Sequence, residues 1–127
     1  MEKPESQIRQ VELGDVVFEN PFTNELRGDE QLTNTRRQVH NAYYSRVFPT
    51  PTAAPKTLAV SEEVRLLLGI TSDVADSIEF AEIFSGNAVT TDMDPHAMCY
   101  GGHQFGNWAG QLGDGRAINL GQVTGID

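Results

Sequence analysis

Gly113 and Gly115 flank Asp114, and Arg116 follows directly. Glycine reaches positive φ without strain and carries no Cβ, so successive backbone N–H groups in such a turn can close on an anion. An arginine beside it adds a permanently charged fork that matches phosphate oxygens. The same four residues also suit a plain hairpin turn, because Asp-Gly is a common type I′ pair and the arginine then faces water. The pattern is not a Walker A loop, since no Gly-Lys-Ser/Thr follows. It is not a dinucleotide fingerprint either, since an extended segment rather than a helix comes next. The surrounding stretch, "YGGHQFGNWAGQLGDGRAINLGQV" (residues 100–123), concentrates seven of the twelve glycines and the single tryptophan of the chain.

Other residues with chemical potential carry weaker patterns. Asp94, His96 and His103 are possible metal ligands, but their spacing matches no recognised metal motif, and structural hydrogen bonding is the expected role. Cys99, between Met98 and Tyr100, reads as a buried and inert thiol. Trp108 reads as a packing anchor rather than a stacking platform. No local signature supports a Ser–His–Asp or Cys–His arrangement.

The elements that must position these residues are short. "SEEVRLLLGI" predicts a helix near 61–68, with Ser61 as cap, Glu62 and Glu63 at the positive end, Val64, Leu67 and Leu68 on one face, and Gly69 as the stop. "SDVADSIEFAEIFSGN" predicts a second helix near 77–85 that Gly86 ends. "DMDPHAMCYGG" suggests a further brief helix, with Asp94 as cap and Pro95 at the first position. "VVFENPF" offers at best a brief strand or docking arm, broken by Pro21. The three prolines of "PTPTAAP" demand an extended connector. A strand–turn–strand is expected around 110–123, and by itself such a hairpin would be marginal.

Length and composition set wider limits. The 127 residues fit one domain, 39% are hydrophobic and 21% charged, and no apolar run is long enough to span a bilayer. The N-terminus has neither the apolar core of a signal peptide nor the character of a transit peptide, and one cysteine excludes an internal disulfide, so a cytoplasmic protein is expected. A net charge of −9 disfavours nucleic acid and anionic membrane as partners. That charge is uneven. Residues 31–61 carry Arg36, Arg37, Arg46 and Lys56 with no acid. This cationic middle is a solvated face, a pairing surface for acidic segments of the same fold, or a surface for an anionic ligand.

From Phe18 onward the chain resembles the N-terminal portion of the selenoprotein O family, the pseudokinase-like protein adenylyltransferases. The resemblance is carried by "NTRRQV", "AYYSRVFPTPTAAPKTLAVSEEV", "LLLGI", "FSGN" and above all "YGGHQFGNWAGQLGDGRAINLGQ". It implies an α+β chain belonging to a protein-kinase-like fold, built of short helices plus a Gly-rich β-hairpin. It further implies a transferase that binds ATP in a flipped orientation and, with Mg2+, moves AMP onto hydroxyl side chains of protein substrates. In the family's "GDGR" the two glycines and the arginine contact the nucleotide, which assigns nucleotide binding to Gly113, Gly115 and Arg116. The chain departs from the family in length. The only lysines, Lys3 and Lys56, precede the Gly-rich stretch, and the family's later lysine, metal-binding and catalytic-Asp blocks have no counterpart. Gln122 stands where many members have Glu. Residues 1–127 are therefore expected to form a single incomplete domain with no catalytic or metal-binding residue of its own. Such a chain would be inactive alone, a truncated nucleotide-binding or interaction remnant being the alternative reading.

Overall fold

In a computed structural model, residues 8–112 and 117–126 are described. In chain order these form β1 (Arg9–Gln10), α1 (Pro21–Glu25), β2 (Tyr44–Arg46), α2 (Glu62–Leu67), α3 (Ser72–Ala75), α4 (Ile78–Ser85), β3 (Ala88–Val89), β4 (His96–Met98), β5 (Tyr100–Gln104) and β6 (Asn107–Leu112). The strands pair two by two: β1 parallel to β3, β2 antiparallel to β4, and β5 antiparallel to β6. No helix among the described residues is long and apolar enough to cross a membrane.

Helix capping follows the local sequence. The Ser61 hydroxyl accepts from the Val64 N–H, Thr71 from Val74 and Ser77 from Phe80, so α2, α3 and α4 each begin on a side-chain cap. The helices expected near 61–68 and 77–85 are present as α2 and α4. Gly86 closes α4 at φ +88°, and a Cβ there would stand 2.5 Å from Cβ of Pro49. Left-handed backbone and close packing thus both demand glycine. Gly86→Ala is expected to cost more than about 1 kcal/mol of stability. Urea unfolding checks this, and an unchanged midpoint would show that the cap and Pro49 relax freely.

The apolar core lies between α4, β3 and the N-terminal arm. Leu13, Phe18, Ile83, Ala88, Val89 and Met93 form it, with Val74, Phe80, Leu120 and Val123 packed around them. Burial of this kind is the main force available to elements too short to be stable alone. The face of α2 behaves differently. Val64 and Leu67, which share the apolar face of the expected helix, are about half exposed, and α2 buries no residue in this chain.

Two local expectations give way to long-range pairing. Residues 94–98 do not start a helix. His96–Met98 run as β4 against β2, with Arg46 opposite His96 and Tyr44 opposite Met98. The Asp94 carboxylate that could have capped a helix is instead bound by Arg46, 48 positions away in sequence. Pro21 does not interrupt a strand but opens α1, where its missing N–H is no loss.

The hairpin also differs in place. Its strands are β5 and β6, and its turn is Phe105–Gly106, both at positive φ as a two-residue type I′ turn requires. The partner of β6 thus lies upstream. Residues 113–116, the turn expected within 110–123, fall outside the described residues. Beyond them the chain pairs elsewhere: Asn119 exchanges backbone hydrogen bonds of 2.8 and 2.9 Å with His96, and Gln122 exchanges bonds of 2.9 and 2.8 Å with Glu19.

Candidate functional site

β2 and β4 form the floor of a cleft. Tyr44 and Arg46 turn one way, into a buried cluster, while Ser45 and Ala97 line the open side. In the cluster His96 stacks on Phe22 at 5.4 Å between ring centroids, and Tyr44 meets its edge at 5.4 Å. The Tyr44 hydroxyl donates to the Thr23 carbonyl at 2.7 Å. Arg46 grips Asp94 with two nitrogens, Nε to Oδ1 at 3.0 Å and Nη2 to Oδ2 at 3.0 Å, and its guanidinium carbon lies 5.2 Å from the Tyr44 ring centre. The Asp94 hydrogen bonds raise the Arg46 pKa above its ordinary value, against the opposing effect of burial. This cation is permanently charged and permanently occupied.

The wall above the floor is the segment from Asp29 to Val39, and one guanidinium organises it. Arg37 donates to Asp29 Oδ2 from Nε (3.1 Å) and from Nη2 (2.5 Å), to the carbonyls of Gln31, Thr33 and Thr35 at 3.0 Å each, and to Ser45 Oγ at 2.8 Å. A stretch without regular secondary structure thereby satisfies its carbonyls on one side chain. Burial pushes the Asp29 carboxyl upward, but Arg37, the Gln31 N–H and Ser45 together hold it below the usual range. The wall is then tied to β6. The Val39 N–H donates to Gln111 Oε1 at 2.7 Å, and Gln111 Nε2 donates back to the Val39 carbonyl at 2.8 Å.

Two chambers open between these parts. One, of about 320 Å³, is polar and is lined by Thr33, Thr35, Arg36, Ser45, Gln111 and Leu112 among others. The second, of about 610 Å³, is more apolar and is lined by Phe48, Met98, Tyr100, Ala117 and Ile118 among others. They share Asn34, Val47, Ala97 and Met98 as a common border. Leu112 and Ala117, the described residues on either side of 113–116, line one chamber each. Leu112 is held by pairing with Tyr100, and the segment after Ala117 by Asn119 on His96.

The remaining sequence candidates separate. Gly113, Gly115 and Arg116 lie outside the described residues. Asp94 and His96 are neighbours in the buried cluster, with His96 Nδ1 2.8 Å from the Asp94 carbonyl oxygen, whereas His103 sits on the hairpin, edge-on to Trp108 at 5.1 Å. They make no metal centre, and among the described residues no group of three or more His, Cys, Asp or Glu is placed to hold a metal. Trp108 corrects the packing-anchor reading: it is 62% exposed, with its indole against Gly101, where a Cβ would come within 2.6 Å of it. Cys99 is half-buried rather than buried and lines the polar chamber; burial, with Asp29 nearby, pushes its thiol pKa up, away from nucleophilic thiolate.

Sequence reasoning missed the Arg37 framework and the Gln111 clamp. The arginine pair in "NTRR" was a visible signal, but nothing in it distinguished the inward-facing residue from the outward-facing one.

Residues 29–127 match the family described as protein adenylyltransferase SelO. The chain is similar to the protein nucleotidyltransferase YdiU of Rhodopirellula baltica, 57% identical over 113 residues, which are 89% of this chain and 21% of that protein. It is similar also to the protein of the same name in Aromatoleum aromaticum, 56% identical over 112 residues (88% of this chain, 21% of that one). In Flavobacterium johnsoniae the corresponding figures are 54% over 111 residues, 87% and 21%. The chain spans about a fifth of the length of these curated relatives. The wall, the floor, Leu112 and Ala117 all fall within the matched residues, and the chain belongs to the protein adenylyltransferase SelO family.

Proposed function

We propose that this chain supplies a nucleotide-facing portion of a protein adenylyltransferase, and that it forms the N-terminal part of a protein-kinase-like fold. In the proposed reaction a protein hydroxyl oxygen bonds to the α-phosphorus of ATP, the bond from that phosphorus to the bridging oxygen of the β-phosphate breaks, pyrophosphate leaves, and the hydroxyl proton passes to a base or to water. The observation that carries this reading is the two-chambered cleft, one side apolar and one side polar and cationic, bracketed by Leu112 and Ala117. An apolar chamber suits a base, and arginine with hydroxyls suits phosphates. Gly113, Gly115 and Arg116 are proposed to contact the nucleotide there. Mg2+ is proposed for the whole-length enzyme on the family resemblance. The described residues offer it no ligand cluster, so none of the roles assigned here runs through it.

Arg116 gives the test. Charge-assisted hydrogen bonds contribute about 1.5–3 kcal/mol, so Arg116→Ala is expected to weaken ATP binding by about one to two orders of magnitude. Calorimetric titration of both proteins measures this, with thermal melts as the folding control. In a protein of the relatives' length, the same substitution should slow transfer of labelled AMP to an acceptor protein. Equal affinities at equal melting points would leave Arg116 a solvent-facing residue and remove the nucleotide assignment.

A further inference from the structure

The cationic middle of the sequence divides in the fold. Arg37 is held by Asp29 and Arg46 by Asp94, which is the pairing of opposite segments that the charge distribution allowed. Arg36 stands apart: it is exposed, lines the polar chamber, and makes no ion pair among the described residues. The chamber's described lining contains three arginines, the hydroxyls of Thr33, Thr35 and Ser45, the Asn34 amide and no carboxylate. With Arg37 and Arg46 neutralised by their own partners, the charge left to act on a ligand is that of Arg36.

Its backbone is fixed in place. The carbonyl on its N-terminal side, that of Thr35, and the side chain on its other side, Arg37, are bonded to each other, and Val39 is clamped to Gln111. The segment bearing Arg36 therefore has little ordering left to lose when an anion arrives, and a preorganised donor binds more tightly than a free one. The chamber also shares a border with the apolar one. A ligand filling both would be apolar at one end and polyanionic at the other.

From this arrangement we infer that the polar chamber is a polyphosphate subsite in which Arg36 binds the pyrophosphate end of the nucleotide, and the released pyrophosphate after transfer. The inference rests on the proposed nucleotide reading but on a different residue, so the two are separable. Arg36 acts here as a binding residue whose charge is exposed and whose loss leaves the Arg37 framework intact.

The experiment titrates the 127-residue chain with inorganic pyrophosphate, ATP and AMP, following amide shifts and calorimetry. Arg36→Gln, Arg36→Lys and Arg116→Ala are compared with the unaltered chain, with melting curves confirming equal folding. Arg36→Gln is expected to weaken pyrophosphate and ATP by about tenfold or more, the loss of one charge-assisted contact, and to leave AMP within about twofold. Arg36→Lys should restore part of the affinity, and the salt dependence of pyrophosphate binding should flatten in Arg36→Gln. Shifts should appear at Thr33, Thr35 and Gln111. Unchanged ATP and pyrophosphate binding in Arg36→Gln, beside a loss in Arg116→Ala, would overturn the subsite while keeping the nucleotide reading. Loss of AMP equal to loss of ATP, or no pyrophosphate binding by the unaltered chain, would overturn it as well.

Discussion

Arg46→Met is expected to lower the free energy of unfolding by about 3–5 kcal/mol, because it leaves the Asp94 carboxylate buried without its cation. The two side chains are only 7% and 4% exposed and meet through paired contacts at 3.0 Å. The damage would spread to the cleft floor. The Asp94 carbonyl holds His96 Nδ1, and the Asp94 N–H donates to the Leu120 carbonyl at 3.1 Å, so the same residue fixes both β4 and the segment that carries Leu120. A domain with total stability of about 5–15 kcal/mol would lose a large share of it. The pair itself is a different matter. Desolvation consumes most of its Coulombic gain, so the double variant Arg46→Met/Asp94→Leu should recover most of the loss. Urea unfolding of the two single variants and the double variant gives the coupling energy directly. A single variant within about 1 kcal/mol of the parent would mean that water reaches Asp94 and that the floor does not depend on the pair.

A comparable effect is expected in the other half of the molecule. Ile83 is fully buried on α4, against Leu13, Phe18, Ala88, Val89 and Met93. Ile83→Ala should cost about 2–5 kcal/mol, the transfer energy of the lost methyl groups together with the cavity they leave, and Ile83→Val only about 0.5–1.5 kcal/mol. The informative control is Leu67→Ala on α2. Leu67 also sits on the apolar stripe of an amphipathic helix, yet it is 55% exposed, and its replacement should change stability by at most about 0.5 kcal/mol. Equal losses at the two positions, measured by the same denaturant midpoints, would show that α2 is packed in solution and that the core is wider than Leu13–Met93.

That contrast marks the limit of what periodicity reveals. The pattern of Val64 and Leu67 is as amphipathic as that of α4, but a stripe says only that a helix has an apolar side, not whether anything in this chain covers it. The caps were legible where they are local: Ser61 and Gly86 act on atoms within four residues, and their chemistry is complete in the sequence that contains them. The family too was legible, since the long Gly- and Trp-bearing block is specific in itself. Residues 94–98 went the other way. Asp94 followed by proline has the local form of a helix start, but Arg46 took the carboxylate and β2 took the backbone, and both partners lie about fifty positions upstream. The cationic segment shows the same division. Sequence determined that Arg36, Arg37 and Arg46 lie in a stretch, residues 31–61, that has no acid of its own. Only tertiary structure decided that Arg37 meets Asp29, eight positions away, and Arg46 meets Asp94, 48 positions away, while Arg36 lines a cavity, because pairing depends on how the chain folds back on itself. The Gly-rich stretch was visible in the sequence; the wall and floor of the cleft came from side chains that meet only when the chain closes on itself.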